Sequence, residues 1–188
     1  MKTAIITPGM PSKEGYYDPS QQAQSNKHWL PWLQRELLLK DILAQAIEWP
    51  KPYAPVYEDW LKTFEGFQVD EDTDLIGHSC GGGFLLRWLS ENDVQVGKVV
   101  LVAPWLDPEG EVESDFFDFE LDLDLTKKAD SVHVFISKDD EQDILDSVAT
   151  LRAVYSDIQF HELEGLGHFT FRDMRTVEFP ELRDLLLS

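Results

Sequence analysis

Between Thr73 and Leu89 the chain passes from a short buried-strand pattern, Thr73-Asp74-Leu75-Ile76, through Gly77-His78-Ser79-Cys80-Gly81 into Gly82-Gly83. It then runs on as Phe84-Leu85-Leu86-Arg87-Trp88-Leu89, which reads as a helix. The five central residues fit G-x-S-x-G, and the strand before and helix after are what a nucleophile elbow requires. Such a turn is strained and lifts the serine oxygen clear of the backbone. The flanking glycines remove Cβ atoms where strand and helix approach. The helix N-terminus aims unpaired N–H groups and the positive end of its dipole at charge that develops beside the serine.

The rest of the chain has a matching rhythm. Six short apolar runs read as strands: 3–7, 42–47, 73–77, 98–102, 132–136 and 158–163. Helical patterns lie between them. Trp29, Leu33 and Leu37 recur at four-residue spacing, as do Trp60 and Phe64. Ile144, Val148, Leu151 and Tyr155 form an apolar stripe, and Val177 to Leu187 reads as a last helix. Alternation of this kind predicts an α/β fold, with a six-stranded parallel sheet, right-handed crossovers and helices on both faces. Sites in such sheets form at the carboxyl ends of the strands. A chain of 188 residues with no repeat or linker is read as a single domain over 1–188.

Charge narrows the partners. A net charge of −20 argues against nucleic acid and against anionic membrane surfaces. The single cysteine allows no intrachain disulfide. The apolar run Ala4-Ile5-Ile6 soon meets Thr7-Pro8-Gly9, too short for a signal-peptide core, and no apolar stretch is long enough to span a bilayer. A cytoplasmic location is the expectation, and the sequence is silent on oligomeric state. Asp70, Asp72 and Asp74 hint at a calcium loop, but Leu75 stands where that loop needs glycine. One segment breaks the strand–helix rhythm: the acidic connection 107–128, in which Phe117, Phe119, Leu121, Leu123 and Leu125 alternate with carboxylates. Period two predicts an extended piece packed on one side. Its departure from a strand's carboxyl end makes a flap beside the site mouth the sharper expectation.

A serine hydroxyl needs a base within reach and a third group to orient that base. On a sheet of this kind the chain order is Ser, then Asp or Glu, then His. Asp139 and Asp140 follow the fifth strand pattern, and His168 follows the sixth in Gly165-Leu166-Gly167-His168-Phe169. Both groups therefore leave the same sheet edge as Ser79, with Asp143 a third acidic candidate. The oxyanion that forms in acyl transfer needs two backbone donors. Cys80 N–H is one, and Met10 N–H is the candidate for the other, since Pro8 and Pro11 have none. The Cys80 thiol is turned away from the chemistry by the elbow, and His78 is expected to pack beneath it. Trp105, Tyr16, Tyr17 and Phe169 follow strand ends and are candidates to line an acyl pocket.

These residues carry a resemblance that runs through most of the chain. The Pro8-Gly9 turn, Trp29-x-x-Trp32-Leu33-x-x-Glu36-Leu37, Pro50-x-Pro52 with Trp60, Gly77-His78-Ser79, Asp139-Asp140 and Gly167-His168-Phe169 are all part of it. The chain resembles the small serine hydrolase family of the α/β-hydrolase superfamily, typified by the retinoblastoma-binding serine hydrolase and its bacterial relatives. The resemblance implies a compact α/β-hydrolase core without a large lid, no metal or organic cofactor, and Asp140 rather than Asp139 as the triad acid. Two features depart from it: Glu141-Gln142-Asp143 replaces a proline-containing turn, and the connection after Trp105 is unusually acidic, so the family's substrate preference is not carried over. Leu-x-Cys-x-Glu is absent, so no retinoblastoma-type partner is implied. The expectation is hydrolysis of a small ester or related acyl substrate through Ser79, Asp140 and His168. An acyltransferase or peptidase would share the first half-reaction. An interaction protein on the same fold, docking a basic partner on the 107–128 segment, is the rival of another class.

Overall fold

The computed structural model describes residues 1–188. Its centre is one six-stranded sheet with β1 at Thr3–Thr7, β2 at Leu43–Ala46, β3 at Thr73–His78, β4 at Val96–Val102, β5 at Ala129–Ser137 and β6 at Gln159–Leu163. The spatial order is β2-β1-β3-β4-β5-β6, and every neighbouring pair is parallel. All six strand patterns are present. β5 extends to Ala129 on one side and Ser137 on the other because its outer residues still find ladder partners on β4 or β6.

Seven helices connect and cover the strands: α1 (Lys13–Tyr17), α2 (Leu30–Leu38), α3 (Tyr57–Phe64), α4 (Cys80–Glu91), α5 (Gln142–Val154), α6 (Phe171–Met174) and α7 (Pro180–Leu187). From β1 the chain steps outward to β2 through α2, then returns past β1 to β3. From β3 it steps through α4 to β4 in the opposite direction. Crossovers of one hand therefore put α2 and α4 on opposite faces. Contacts agree. α2 meets α7, with Trp29 6.0 Å from Phe179, while α3 and α4 share a buried aromatic cluster of Trp60, Phe64, Tyr57 and Phe84 on the other side. Trp49 closes that cluster, stacked 4.3 Å from Trp60. The last helix begins at Pro180 rather than Val177, since proline lacks an N–H and suits a first turn where none is needed. The strand order reverses between β1 and β3, the topological switch point at which such sheets open a crevice.

The 107–128 connection holds two short 3-10 turns, Asp115–Phe117 and Leu125–Lys128, packs on one side, and contributes no residue to the small cavity lined by Ser79 and His168. Phe116 is buried, Phe117, Phe119 and Leu121 are half-buried, Leu123 is 75% exposed and Leu125 is buried, so the period-two pattern holds at four of its five apolar positions and fails at Leu123. Two cations, Arg87 on α4 and Lys128 at the end of the segment, fasten it to α4. The Arg87 guanidinium lies 3.7 Å above the Tyr57 ring and donates to the carbonyls of Asp115 and Phe116. Lys128 Nζ pairs with Asp122 at 2.6 Å and donates to the carbonyls of Leu89 and Asn92.

Candidate active site

Ser79 occupies the turn between β3 and α4 with φ 55° and ψ −125°, a conformation costly for any residue with a Cβ. Its own backbone holds it there. Ser79 N–H donates to Val102 O at 3.0 Å, and Ser79 O accepts from Gly82 N at 2.9 Å and Trp105 N at 3.1 Å. The motif glycines are dictated by close approach. A Cβ on Gly81 would stand 2.1 Å from Thr7 O, and one on Gly77 would stand 2.6 Å from Gly82 Cα. The Cys80 side chain is fully buried, and burial pushes its thiol well above the ordinary range, so that sulfur is inert at neutral pH.

The carboxyl end of β5 delivers the acid. Asp140 is sealed, its side chain 0% exposed, and both oxygens face His168 Nδ1, Oδ1 at 3.1 Å and Oδ2 at 3.3 Å. Oδ1 also accepts from Glu141 N at 2.8 Å. Asp139 points elsewhere. It accepts from Ser137 Oγ and from Gly165 N, and the Ser137 bond first of all lowers its pKa. Ser137 Oγ in turn accepts from Leu166 N at 3.1 Å. Asp139 thus ties the loop carrying His168 to the end of β5. Asp143 turns to the N–H of Ile144 at the start of α5.

His168 sits between Gly167 at φ 48° and Phe169 at φ 54°. This left-handed pair reverses the chain and presents the imidazole to Asp140. With Nδ1 directed at a carboxylate, Nε2 is the nitrogen left for a proton from outside. Ser79 and His168 line one small cavity of about 90 Å³, together with Gly9, Met10, Gln24 and His28. No hydrogen bond joins Ser79 Oγ to the imidazole; in serine hydrolases such bonds tighten in the substrate complex. His78 lies beneath, 3% exposed, its Nε2 donating to His168 O at 2.9 Å. Burial above all holds its pKa well below the ordinary histidine value, so it serves as a neutral strut.

Two donor groups orient the loop after β1. Trp49 Nε1 donates to Pro8 O at 3.1 Å, and Gln24 Nε2 donates to Gly9 O at 3.2 Å. In a trans peptide the carbonyl and the next N–H point in opposite directions, so these bonds fix the aim of the Gly9 and Met10 N–H groups. Neither N–H has a backbone acceptor. Gly9 approaches so closely that an added Cβ would stand 2.8 Å from Ser79 Cβ. Cys80 N–H is among the unpaired donors of the first turn of α4.

The four aromatic candidates lie elsewhere. Trp105 is buried against Phe117, and Phe169 is fully buried and stacked on Phe179 at 5.3 Å. Trp105 supports the elbow through its backbone and Phe169 anchors the His168 loop; neither ring lines the cavity. Tyr16 and Tyr17 are exposed and gather with Tyr53, where Tyr17 and Tyr53 hydroxyls lie 2.8 Å apart. Their strand-end positions are as the sequence suggests, but their rings pack inward or among themselves. Conversely, His28 lines the cavity and has no motif in the sequence to mark it.

Comparison with known proteins bears on the family and the fold. The chain is 29% identical over 187 residues to the Bacillus subtilis (strain 168) protein YdeN, covering 94% of this chain and 96% of that one. The crystal structure of YdeN superposes with a TM-score of 0.80 at 26% identity over 100% of this chain and 97% of that one. Est1E of Butyrivibrio proteoclasticus, solved with ferulic acid bound, shares the fold with a TM-score of 0.68 at 13% identity, covering 100% and 88% of the two chains. Residues 16–187 match the serine hydrolase family, and this α/β-hydrolase chain belongs to it.

Proposed function

We propose that the protein hydrolyses small carboxylic esters through an acyl-enzyme on Ser79. Ser79 Oγ attacks the ester carbonyl carbon while His168 Nε2 takes the hydroxyl proton. Asp140 accepts the Nδ1–H bond and stabilises the imidazolium that forms. The tetrahedral oxyanion is received by Cys80 N–H and Met10 N–H, each such donor being worth about 3–4 kcal/mol of barrier. The Nε2 proton then passes to the departing alkoxide, and the C–O bond to it breaks. Water, deprotonated by the same imidazole, attacks the acyl carbon and restores Ser79. His168, backed by Asp140 and lining the same cavity as Ser79, carries the reading. The cavity's volume bears on the acyl group. About 90 Å³ is the room of about three water molecules, enough for a carbonyl and a short chain.

Covalent labelling by a fluorophosphonate probe, followed by hydrolysis of a panel of esters, tests the proposal. Labelling is expected on Ser79 and is lost in Ser79→Ala. A Ser79→Ala variant that labels at full strength removes this serine from the chemistry.

A further inference from the structure

The wall that His28 contributes to the small cavity is shared with a second space. On its far side lies an open groove of about 990 Å³, lined by Asn26, Pro31, Trp32, Phe171 and Val177 among others. Its lining combines the apolar Pro31, Trp32, Phe171 and Val177 with polar groups, Lys27 among them. Phe171 and Val177 belong to the chain just after His168, so the groove borders the segment that follows the His168 loop as well as His28. The two spaces meet at His28, with Ser79 and His168 lining the small one.

His28 itself is unusually constrained. Its φ is 56°, an uncommon conformation for a residue with a side chain. Ahead of it, Gln24 and Ser25 donate their N–H groups to Glu48 at 3.2 and 2.9 Å, and after it Trp29 is fully buried. The ring is fixed from the other end of the chain, since Phe171 N–H donates to His28 Nδ1 at 3.0 Å. A neutral imidazole that accepts at Nδ1 carries its proton at Nε2. Burial, with Lys27 next, holds the His28 pKa down to about 4, so the ring stays neutral at physiological pH. No group of the chain accepts from Nε2, which leaves a fixed neutral donor on the wall between reaction and groove.

We propose that His28 determines specificity for the leaving group. Its Nε2–H donates to a second oxygen on the alcohol portion of the substrate, and the groove takes the apolar remainder. The substrate class is an ester of a short carboxylic acid with an alcohol that bears an ether, hydroxyl or carbonyl oxygen beyond the ester linkage. This rests on the hydrolase reading above.

The test compares 2-methoxyethyl acetate with butyl acetate, which match in shape and differ in that one oxygen. Wild-type kcat/KM is expected to favour the methoxyethyl ester about three- to tenfold, the range of one neutral hydrogen bond. His28→Asn tolerates the left-handed backbone and keeps an acceptor for Phe171 N–H, but withdraws the donor from the wall. In that variant the ratio falls to about one, and in His28→Gln, whose longer amide returns an N–H, it recovers. A ratio unchanged in His28→Asn overturns the proposal. A ratio of one in the wild type overturns it too, whether or not the variants fold. Fluorophosphonate labelling of the wild type separates the two failures. Labelled enzyme with no ester discrimination refutes the His28 assignment alone, and unlabelled enzyme refutes the hydrolase reading and this inference together.

Discussion

Asp140→Asn is the substitution that most directly probes the proposed chemistry. The carboxylate is sealed from solvent and shares its two oxygens unevenly. Oδ1 serves both Glu141 N–H and the imidazole, whereas Oδ2, 3.3 Å from Nδ1, serves the imidazole alone. An asparagine keeps its oxygen towards the Glu141 N–H, which needs an acceptor, and so turns its NH₂ to His168 Nδ1. A donor at that place stabilises the tautomer with Nδ1 bare and Nε2 protonated, which is unable to take the serine proton. It also removes the buried counter-charge of the imidazolium. The expected fall in kcat is about ten-thousandfold, the scale of that tautomer error in a serine triad, or about 5 kcal/mol of barrier. The assay is hydrolysis of 4-nitrophenyl acetate with the rate of fluorophosphonate labelling beside it, and a thermal melt to establish that the variant is folded. Activity within tenfold of wild type would refute the argument, as would an equal collapse in Asp139→Asn.

Other outcomes follow from the same coordinates. Asp139→Ala releases the tie between Gly165 and the end of β5, so kcat/KM should drop only about tenfold, through a less well-held imidazole; loss equal to that of Asp140→Asn would contradict the division of labour. Gly81→Ala places a methyl 2.1 Å from Thr7 O, backbone against backbone, and should cost at least about 3 kcal/mol, read as a melting temperature lower by about 10 °C. Rates on 4-nitrophenyl esters should decline as the acyl chain lengthens from acetyl to octanoyl, and a preference for octanoyl would argue that the small cavity is not the acyl site. Acid should weaken the fold early. Burial holds His28 and His133 down to about 4. The unfolded chain takes up those protons near 6.5, so stability is full above 6.5 and is lost as pH falls towards 4. At pH 5 the loss is at most about 2 kcal/mol for each histidine. Urea midpoints that stay flat between pH 7 and 5 in wild type, and equally so in His133→Gln, would oppose it.

What the sequence disclosed and what it withheld have a common physical origin. The elbow, the strand ends and the His168 loop are written in contiguous residues, because each depends on local backbone geometry: Gly77 and Gly81 at a close approach, Gly167 at a left-handed turn. The central strands β1, β3, β4 and β5 are largely buried on both faces and read as near-continuous apolar runs, whereas the edge strands β2 and β6 are only partly buried and carry a weaker signal. The ends of all six depend on ladder partners on neighbouring strands. Between Asp139 and Asp140 the residues alone give no choice; the two differ in which way one turn of chain faces, and it is Asp140, the one the family resemblance implies, that faces His168. His28 was invisible for a different reason. Its ring is held by Phe171, separated by 143 positions, and nothing local marks a contact made that late in the chain. Trp105 and Phe169 misled because proximity to a strand end says where a backbone goes and not which side of it a ring falls.

The clamp on the 107–128 connection has an evolutionary corollary. Arg87 and Lys128 fasten its later half to α4, while its leading tip around Gly110 touches no neighbour within 4 Å at the position where a side chain would begin. Extra sequence arriving at that tip would grow into solvent without loosening the elbow below, since the anchor points lie downstream of it. An exposed turn backed by a secured stem is the sort of place that accepts insertions. A lineage could therefore acquire a covering subdomain there, or an engineer graft one, while Ser79 kept its setting.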